Sequence, residues 1–252
     1  MNKLLSEISA TQTPVTNVIP YVLLLLFLTS CLEGQVTAEE QPLTKQEEAI
    51  AYFKDVALGM EFGNVDEVTR KWQKDIFIYV EGEQDSTLME ELDIIIADLN
   101  DLIDDGETTL SITHDPDSSN FSIFFGSGQE FESRFSPAIG YTETNYGMFW
   151  LSWNPNNEIR QATMYVDIYR PKKVNQRHLL REELTQSLGM AKDSPKYEDS
   201  IFNSSYSVSA VTEYSEMDKD VIQLLYHPQM KTGLSVFQVQ PVLESIIDDV
   251  VQ

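Results

Sequence analysis

The chain has one cysteine, Cys31, and three histidines, His114, His178 and His227. A lone thiol excludes an internal disulfide, a Cys-rich zinc module and an iron–sulfur cluster. Basic residues are also scarce. Lys and Arg number 17 against 41 Asp and Glu, a formal net charge of −24. A mean field of that sign repels nucleic acid and anionic lipid, so neither is expected as the main partner. There is no internal repeat and no low-complexity tract. Apolar material, by contrast, is plentiful: 42% of the 252 residues are hydrophobic and 10% aromatic. That is enough for one domain with a packed core.

The longest apolar block, Val18 to Thr29 (VIPYVLLLLFLT), is short. As a helix it rises only about 18 Å, less than the roughly 30 Å of hydrocarbon in a bilayer. Its length suits the h-region of a secretory signal peptide. Leu28-Thr29-Ser30-Cys31 follows the pattern of a bacterial lipobox, which it resembles. The expectation is a lipoprotein-type signal peptide over residues 1–30, lipidation at Cys31, and a polar tether over 31–44. An uncleaved anchor or a buried free cysteine is the bland alternative. With Leu32 after the cysteine, the resemblance implies the periplasmic face of an outer membrane, the lipid anchor making the membrane contact. Removing residues 1–30 takes away Lys3 and Glu7 together, so the charge stays −24.

Beyond the tether, periodicity predicts an α+β order in one domain, residues 45–252. A helix from Lys45 has Thr44 and Glu47 as a capping box. Lys74 to Val80 is a strand, and Asp85 to Ile103 a long helix with the stripe Leu88, Leu92, Ile95, Leu99 and Leu102. The carboxylates Glu90, Glu91, Asp93, Asp98, Asp101, Asp104 and Asp105 read as its solvated face, since Asp104-Asp105-Gly106 lacks the alternating ligands of an EF-hand loop. Strands are expected at Thr109 to Thr113, Asn120 to Phe125, Met148 to Trp153 and Arg160 to Ile168, with Gly126 to Tyr146 as a long loop. Phe149, Trp150 and Trp153 read as core packing. Helices near Met217 to Leu225 and Ser235 to Val250 close the chain.

The informative stretch runs from Asn175 to Asp193 (NQRHLLREELTQSLGMAKD). Asn175 is a plausible N-cap, Leu180, Leu184 and Leu188 form one stripe, and Gly189 sits where a left-handed residue ends a helix. This stretch resembles the metzincin active-site helix H-E-x-x-H-x-x-G-x-x-H with its metal ligands replaced. Glu182, Gln186 and Lys192 take the three histidine positions, Glu183 that of the general base, and Gly189 that of the turning glycine. Asp199 to Asn203 looks like the Met-turn, with Phe202 in place of methionine. EELTQSLG, DSIFN and LLYHP together are similar to a family of exported proteobacterial proteins known only as a domain of unknown function and grouped by fold with metallopeptidases. The resemblance covers about residues 45–250. It implies a zincin-like domain with a mixed sheet, a long helix, a degenerate active-site helix and C-terminal helices.

Peptide hydrolysis of this type needs a zinc-bound water whose pKa falls from about 15.7 to near 7. A glutamine amide is a weak ligand and a lysine cation none, so no metal, no cofactor and no catalytic residue are expected. A replacement site at His178 and Glu182, spaced i, i+4, is conceivable; a His–Glu surface pair is the bland reading. Arg170, Lys172, Lys173, Arg177 and Arg181 form a basic island beside the adjacent acids. The expectation is that it neutralises Glu182 or Glu183 and depresses that pKa. The functional expectation is a non-catalytic envelope lipoprotein acting as a binding or interaction module with an unknown protein or envelope partner. A divergent metal-dependent hydrolase with Glu183 as base is one rival. A structural assembly-partner lipoprotein is the other.

Overall fold

The computed structural model describes residues 42–252 apart from 64, 104 and 206–209. The expectations for the signal peptide and Cys31 lie outside the described residues. No helix among the described residues is long and apolar enough to cross a membrane.

The elements in order are α1 (Lys45–Ala57), β1 (Lys71–Trp72), β2 (Ile76–Gly82), α2 (Ser86–Leu102), β3 (Leu110–Ile112), β4 (Phe121–Gly126), α3 (Gly128–Arg134), β5 (Gly147–Trp153), β6 (Glu158–Asp167), α4 (Lys173–Gln186), α5 (Glu216–Tyr226) and α6 (Val236–Val250). The strands form one mixed sheet in the order β1-β6-β4-β2-β3. β5 alone runs antiparallel, paired to β6 with Phe149 opposite Met164. Alternation along β4 and β6 separates two apolar faces. Phe121, Ile123, Phe125, Met164 and Val166 join the main core with α1, α2, α4, α5 and α6. Phe124 and Tyr165 point the other way and, with Phe131 and Ala138, make a small second cluster.

Local chemistry explains most boundaries. Thr44 and Glu47 form the expected capping box of α1, and Asp85 caps α2 by accepting from the backbone N–H of Thr87 and Leu88. The stretch 126–146 is not the open loop expected. Ser127 and Glu130 build a capping box, and Phe131 stacks on Tyr165 at a centroid distance of 5.0 Å, which together fix α3. A 3₁₀ turn, Ser136–Ala138, follows. Asn175 is not the N-cap of α4. The N-cap is Lys172, three residues earlier, and the Gln176 amide donates to the carbonyls of Ile168 and Pro171 at 2.8 and 2.9 Å. The two-residue β1 was not anticipated either. Its Trp72 is fully buried and Nε1 donates to Ser187 O at 3.0 Å. The Tyr226 hydroxyl donates to Leu188 O at 2.9 Å. Two carbonyls freed at the end of α4 are thereby satisfied.

Gly189 ends that turn at φ +124°, and a Cβ there would lie 2.0 Å from Arg70 O. Glycine is therefore obligatory on both conformational and steric grounds. From Gly189 the chain crosses to a turn at Tyr197–Asn203, where Ser194 N–H donates to Phe202 O at 2.8 Å, and continues into α5. A mixed sheet with one antiparallel strand is thus followed by helix α4, a turning glycine, a tight turn and α5.

Candidate functional site

A cavity of about 610 Å³ opens between β5, α4 and the segment after α1. Glu182, Glu183 and Gln186 of α4 line it, with Asp193 beyond the glycine turn and Glu61 from the α1–β1 connection. Gly147 of β5 makes the narrow wall. A Cβ at that position would come within 2.7 Å of Glu183 Oε1. The backbone N–H of Glu61 donates to Ala191 O at 2.9 Å, which ties the rim segment to the turn carrying Asp193.

Three sequence-level placements need correction. Lys192 does not face the cavity; its ammonium turns outward to Glu67 at 3.9 Å. Asp193 enters instead, its Oδ1 accepting from Gln186 Nε2 at 2.5 Å. The glycine turn swings the side chain after Lys192 inward, an offset of one residue that spacing alone does not reveal.

Nor does the basic island neutralise the paired acids. Arg181 donates to Asp98 Oδ2 at 2.7 Å and Glu91 Oε1 at 3.1 Å, Arg177 to Glu91 Oε2 at 2.5 Å, Lys173 to Asp85 Oδ2 at 2.6 Å and Arg170 to Asp167 Oδ2 at 2.5 Å. Lys173, Arg177 and Arg181 thus fasten α4 to α2 and its N-cap, and Arg170 closes on the end of β6, rather than on Glu182 or Glu183. Glu91 and Asp98 correspondingly leave the expected solvated face of α2, Glu91 being buried and Asp98 partly so, while Glu90, Asp93 and Asp101 stay exposed.

The third correction follows from the second. Glu182 and Glu183 are each only 8% exposed. Burial, together with the neighbouring Asp193 and Glu61 carboxyls, pushes both pKa values well above the usual carboxylate range, and Glu183 adds to the effect on Glu182. The expectation was the opposite direction. Asp193 is raised by burial against the opposing hydrogen bond from Gln186. Glu61, at the rim, is raised to about 7 by burial and by Asp193.

His178 and Glu182 do pair, at 3.3 Å between Nε2 and Oε2, but inside the cavity wall rather than on the surface. His178 Nδ1 lies 2.7 Å from Val211 O. A carbonyl can only accept, so Nδ1 carries the proton and Nε2 faces Glu182 as an acceptor. Burial lowers the His178 pKa. Raising the acid and lowering the base both favour a neutral hydrogen bond over an ion pair at this contact. Glu183 differs: among the described residues its carboxyl has no hydrogen-bond or ion-pair partner.

The zinc implied by a metzincin resemblance does not fit this donor set. Gln186 presents an amide whose nitrogen is engaged by Asp193, Glu182 is turned to His178, and Lys192 points away. Among the described residues no three His, Cys, Asp or Glu side chains converge as ligands. Phe202 is fully buried in the turn below and offers only apolar packing. The aromatics of β5 belong to the cavity as well as to packing. Trp150 packs on Phe131 and Phe135, and Trp153 lies under the Arg70 guanidinium at 4.5 Å, while both, with Phe149, stay half-exposed along the opening.

Asp193, Glu61 and Gly147 are the site residues that sequence reasoning missed. Asp193 sits one place after a recognised motif position and was within reach. Glu61 lies in an aperiodic connection that carries no signal of its role.

Searching characterised proteins by sequence returns no significant match. Among solved structures the chain is similar to myroilysin, at 11% identity and a TM-score of 0.41, over 68% of this chain and 98% of that one. The model of the family described as "Protein of unknown function (DUF2927)" matches residues 46–245, most of the domain, and the chain belongs to that family.

Proposed function

We propose that the protein is a non-catalytic binding module of the cell envelope, tethered through a lipidated Cys31 at the periplasmic face of the outer membrane, and that its cleft holds a ligand without cleaving it. One observation carries the reading. The side chains at and beside the three metzincin ligand positions are committed to each other or turned away: Glu182 to His178, Gln186 to Asp193, and Lys192 to Glu67. Without an acidified water, Glu183 has nothing to deprotonate, and a lone carboxyl is a poor catalyst of amide cleavage.

The test is elemental analysis of protein purified without chelator, with a broad peptide-cleavage assay of wild type and Glu183→Gln. The expected outcome is substoichiometric zinc and no cleavage. Near-stoichiometric zinc, with cleavage lost in Glu183→Gln, would establish a working hydrolase. The tether is tested separately. Cys31→Ser should release the protein from membranes or leave an uncleaved precursor, and unchanged mass and partitioning would remove the lipoprotein assignment.

A further inference from the structure

We infer that the cleft is a receptor for an organic cation, an ammonium or guanidinium on an apolar stem, with Glu183 as its principal counter-charge. The inference rests on the binding-module reading and supplies its ligand class. Four carboxyl groups, Glu61, Glu182, Glu183 and Asp193, face one cavity, and no Lys or Arg lines it. Glu182 and Asp193 have polar partners in His178 and Gln186. Glu183 is more than nine-tenths buried, lines the cavity and has no partner among the described residues.

Proteins compensate buried carboxyls almost without exception, because an unpaired one costs its desolvation free energy. This protein does so at every other charged position of α4. Gly147 gives the Glu183 carboxyl its present position, since a Cβ there would lie 2.7 Å from Glu183 Oε1 and displace it. A polar group held unpaired at the wall of an open cavity is one whose partner arrives from outside.

The chemistry of the wall selects the partner. An anion meets four carboxyl groups and is excluded. A neutral polar ligand leaves those groups uncompensated. A divalent cation requires several oxygens converging at 2.0–2.6 Å, and the described side chains do not converge. An ammonium or guanidinium needs only one or two carboxylates at hydrogen-bond distance, and an Arg–carboxylate contact is bidentate. Apolar side chains line much of the remaining wall, with Met60, Met148, Phe149 and Leu179 available to the stem. A volume of about 610 Å³ lies in the range of small-ligand sites and exceeds what one such side chain needs.

The same cation can come free, as a small amine, or carried on a peptide. The test titrates the full exported chain at pH 7.5, calorimetrically, with agmatine and with a terminally blocked alanine hexapeptide bearing one arginine. The control peptide carries citrulline, which keeps the shape and loses the charge. At least one arginine-type probe should bind, with citrulline at least tenfold weaker than its arginine counterpart. Agmatine binding alone identifies a free amine as the source, and peptide binding a displayed side chain.

Glu183→Gln should weaken binding at least tenfold. Asp248→Asn, the same loss of charge on the exposed face of α6, should leave it within twofold. Equal binding of the arginine and citrulline peptides, an Asp248→Asn effect as large as that of Glu183→Gln, or no binding of any probe overturns the cation inference and leaves the non-catalytic reading standing. Zinc-dependent cleavage of the arginine peptide overturns both.

Discussion

Helix α4 buries three consecutive charged residues in two opposite ways. Arg181 is 2% exposed and surrounded by compensation: Glu91, itself 2% exposed, Asp98, and the Tyr214 ring at 4.6 Å. Glu182 and Glu183, the next residues along, are almost as buried and face no cation. Rotation by about 100° per residue sends Arg181 into the interface with α2 and the two acids toward the cavity. The first side is a fastening, where opposite charges hold two helices together. On the second side Glu182 has only His178 for a partner and Glu183 none among the described residues, an arrangement that packing alone would not retain. Buried charge is therefore informative about function only after its partners have been counted.

The comparison breaks most visibly on the compensated side. Glu91→Ala leaves the buried Arg181 guanidinium with only the half-exposed Asp98, and also frees Arg177. Removing one member of a buried pair typically costs about 3–5 kcal/mol. Urea denaturation should show a loss of that size with an unchanged m-value. A loss below about 1 kcal/mol would mean that the Arg181 side is no better compensated in practice than the Glu183 side.

Sequence reasoning read the secondary elements well because their signals are local. Thr44 with Glu47, the α2 stripe and Gly189 are each defined by residues within one or two turns of each other. The run of site helix, glycine turn, tight turn and following helix was legible through motif spacing around α4. What stayed hidden depends on the direction a side chain takes in three dimensions. Arg177 and Arg181 lie beside Glu182 and Glu183 in sequence but point to a helix some 90 residues upstream. Asp193 enters the cavity because Gly189 redirects the chain, and Glu61 reaches it through a backbone contact with Ala191. Adjacent opposite charges on a helix suggest mutual pairing, and here tertiary geometry overrode that suggestion.

A smaller effect is expected from pH, and its direction separates the two sides further. Carboxyls whose folded pKa is raised hold protons that the unfolded chain releases above its ordinary values, near 4.5 for glutamate and 3.8 for aspartate. Stability from such groups is complete below those values and declines as pH rises toward the folded pKa. His178 acts oppositely, its lowered pKa removing stability as pH falls below its ordinary 6.5. Between pH 7.5 and 8.5, well above the ordinary histidine value of 6.5, the imidazole is neutral in both states and the carboxyls act alone. Each one still protonated in the fold lowers stability by up to about 1.4 kcal/mol per pH unit. Thermal denaturation across that range should show a falling melting temperature. A flat or rising profile would mean that the cavity carboxyls are compensated after all.

The finest division between the two sides is a single amide. Glu183→Gln preserves shape, keeps a neutral side chain over Gly147 and removes the capacity to ionise. Were Glu183 held by the basic island, this change would lower stability. Because the carboxyl is buried without a cation, the replacement should instead stabilise the fold at pH 8, by about 1 kcal/mol, the order expected from relieving one uncompensated buried polar group. At pH 5, where the wild-type carboxyl already carries its proton, the two proteins should denature together within about 0.3 kcal/mol. The sign at pH 8 decides between the two arrangements. Destabilisation there would place an unseen cation against Glu183, whereas stabilisation confined to the higher pH would identify a carboxyl retained at the expense of stability for something the folded chain does not itself provide.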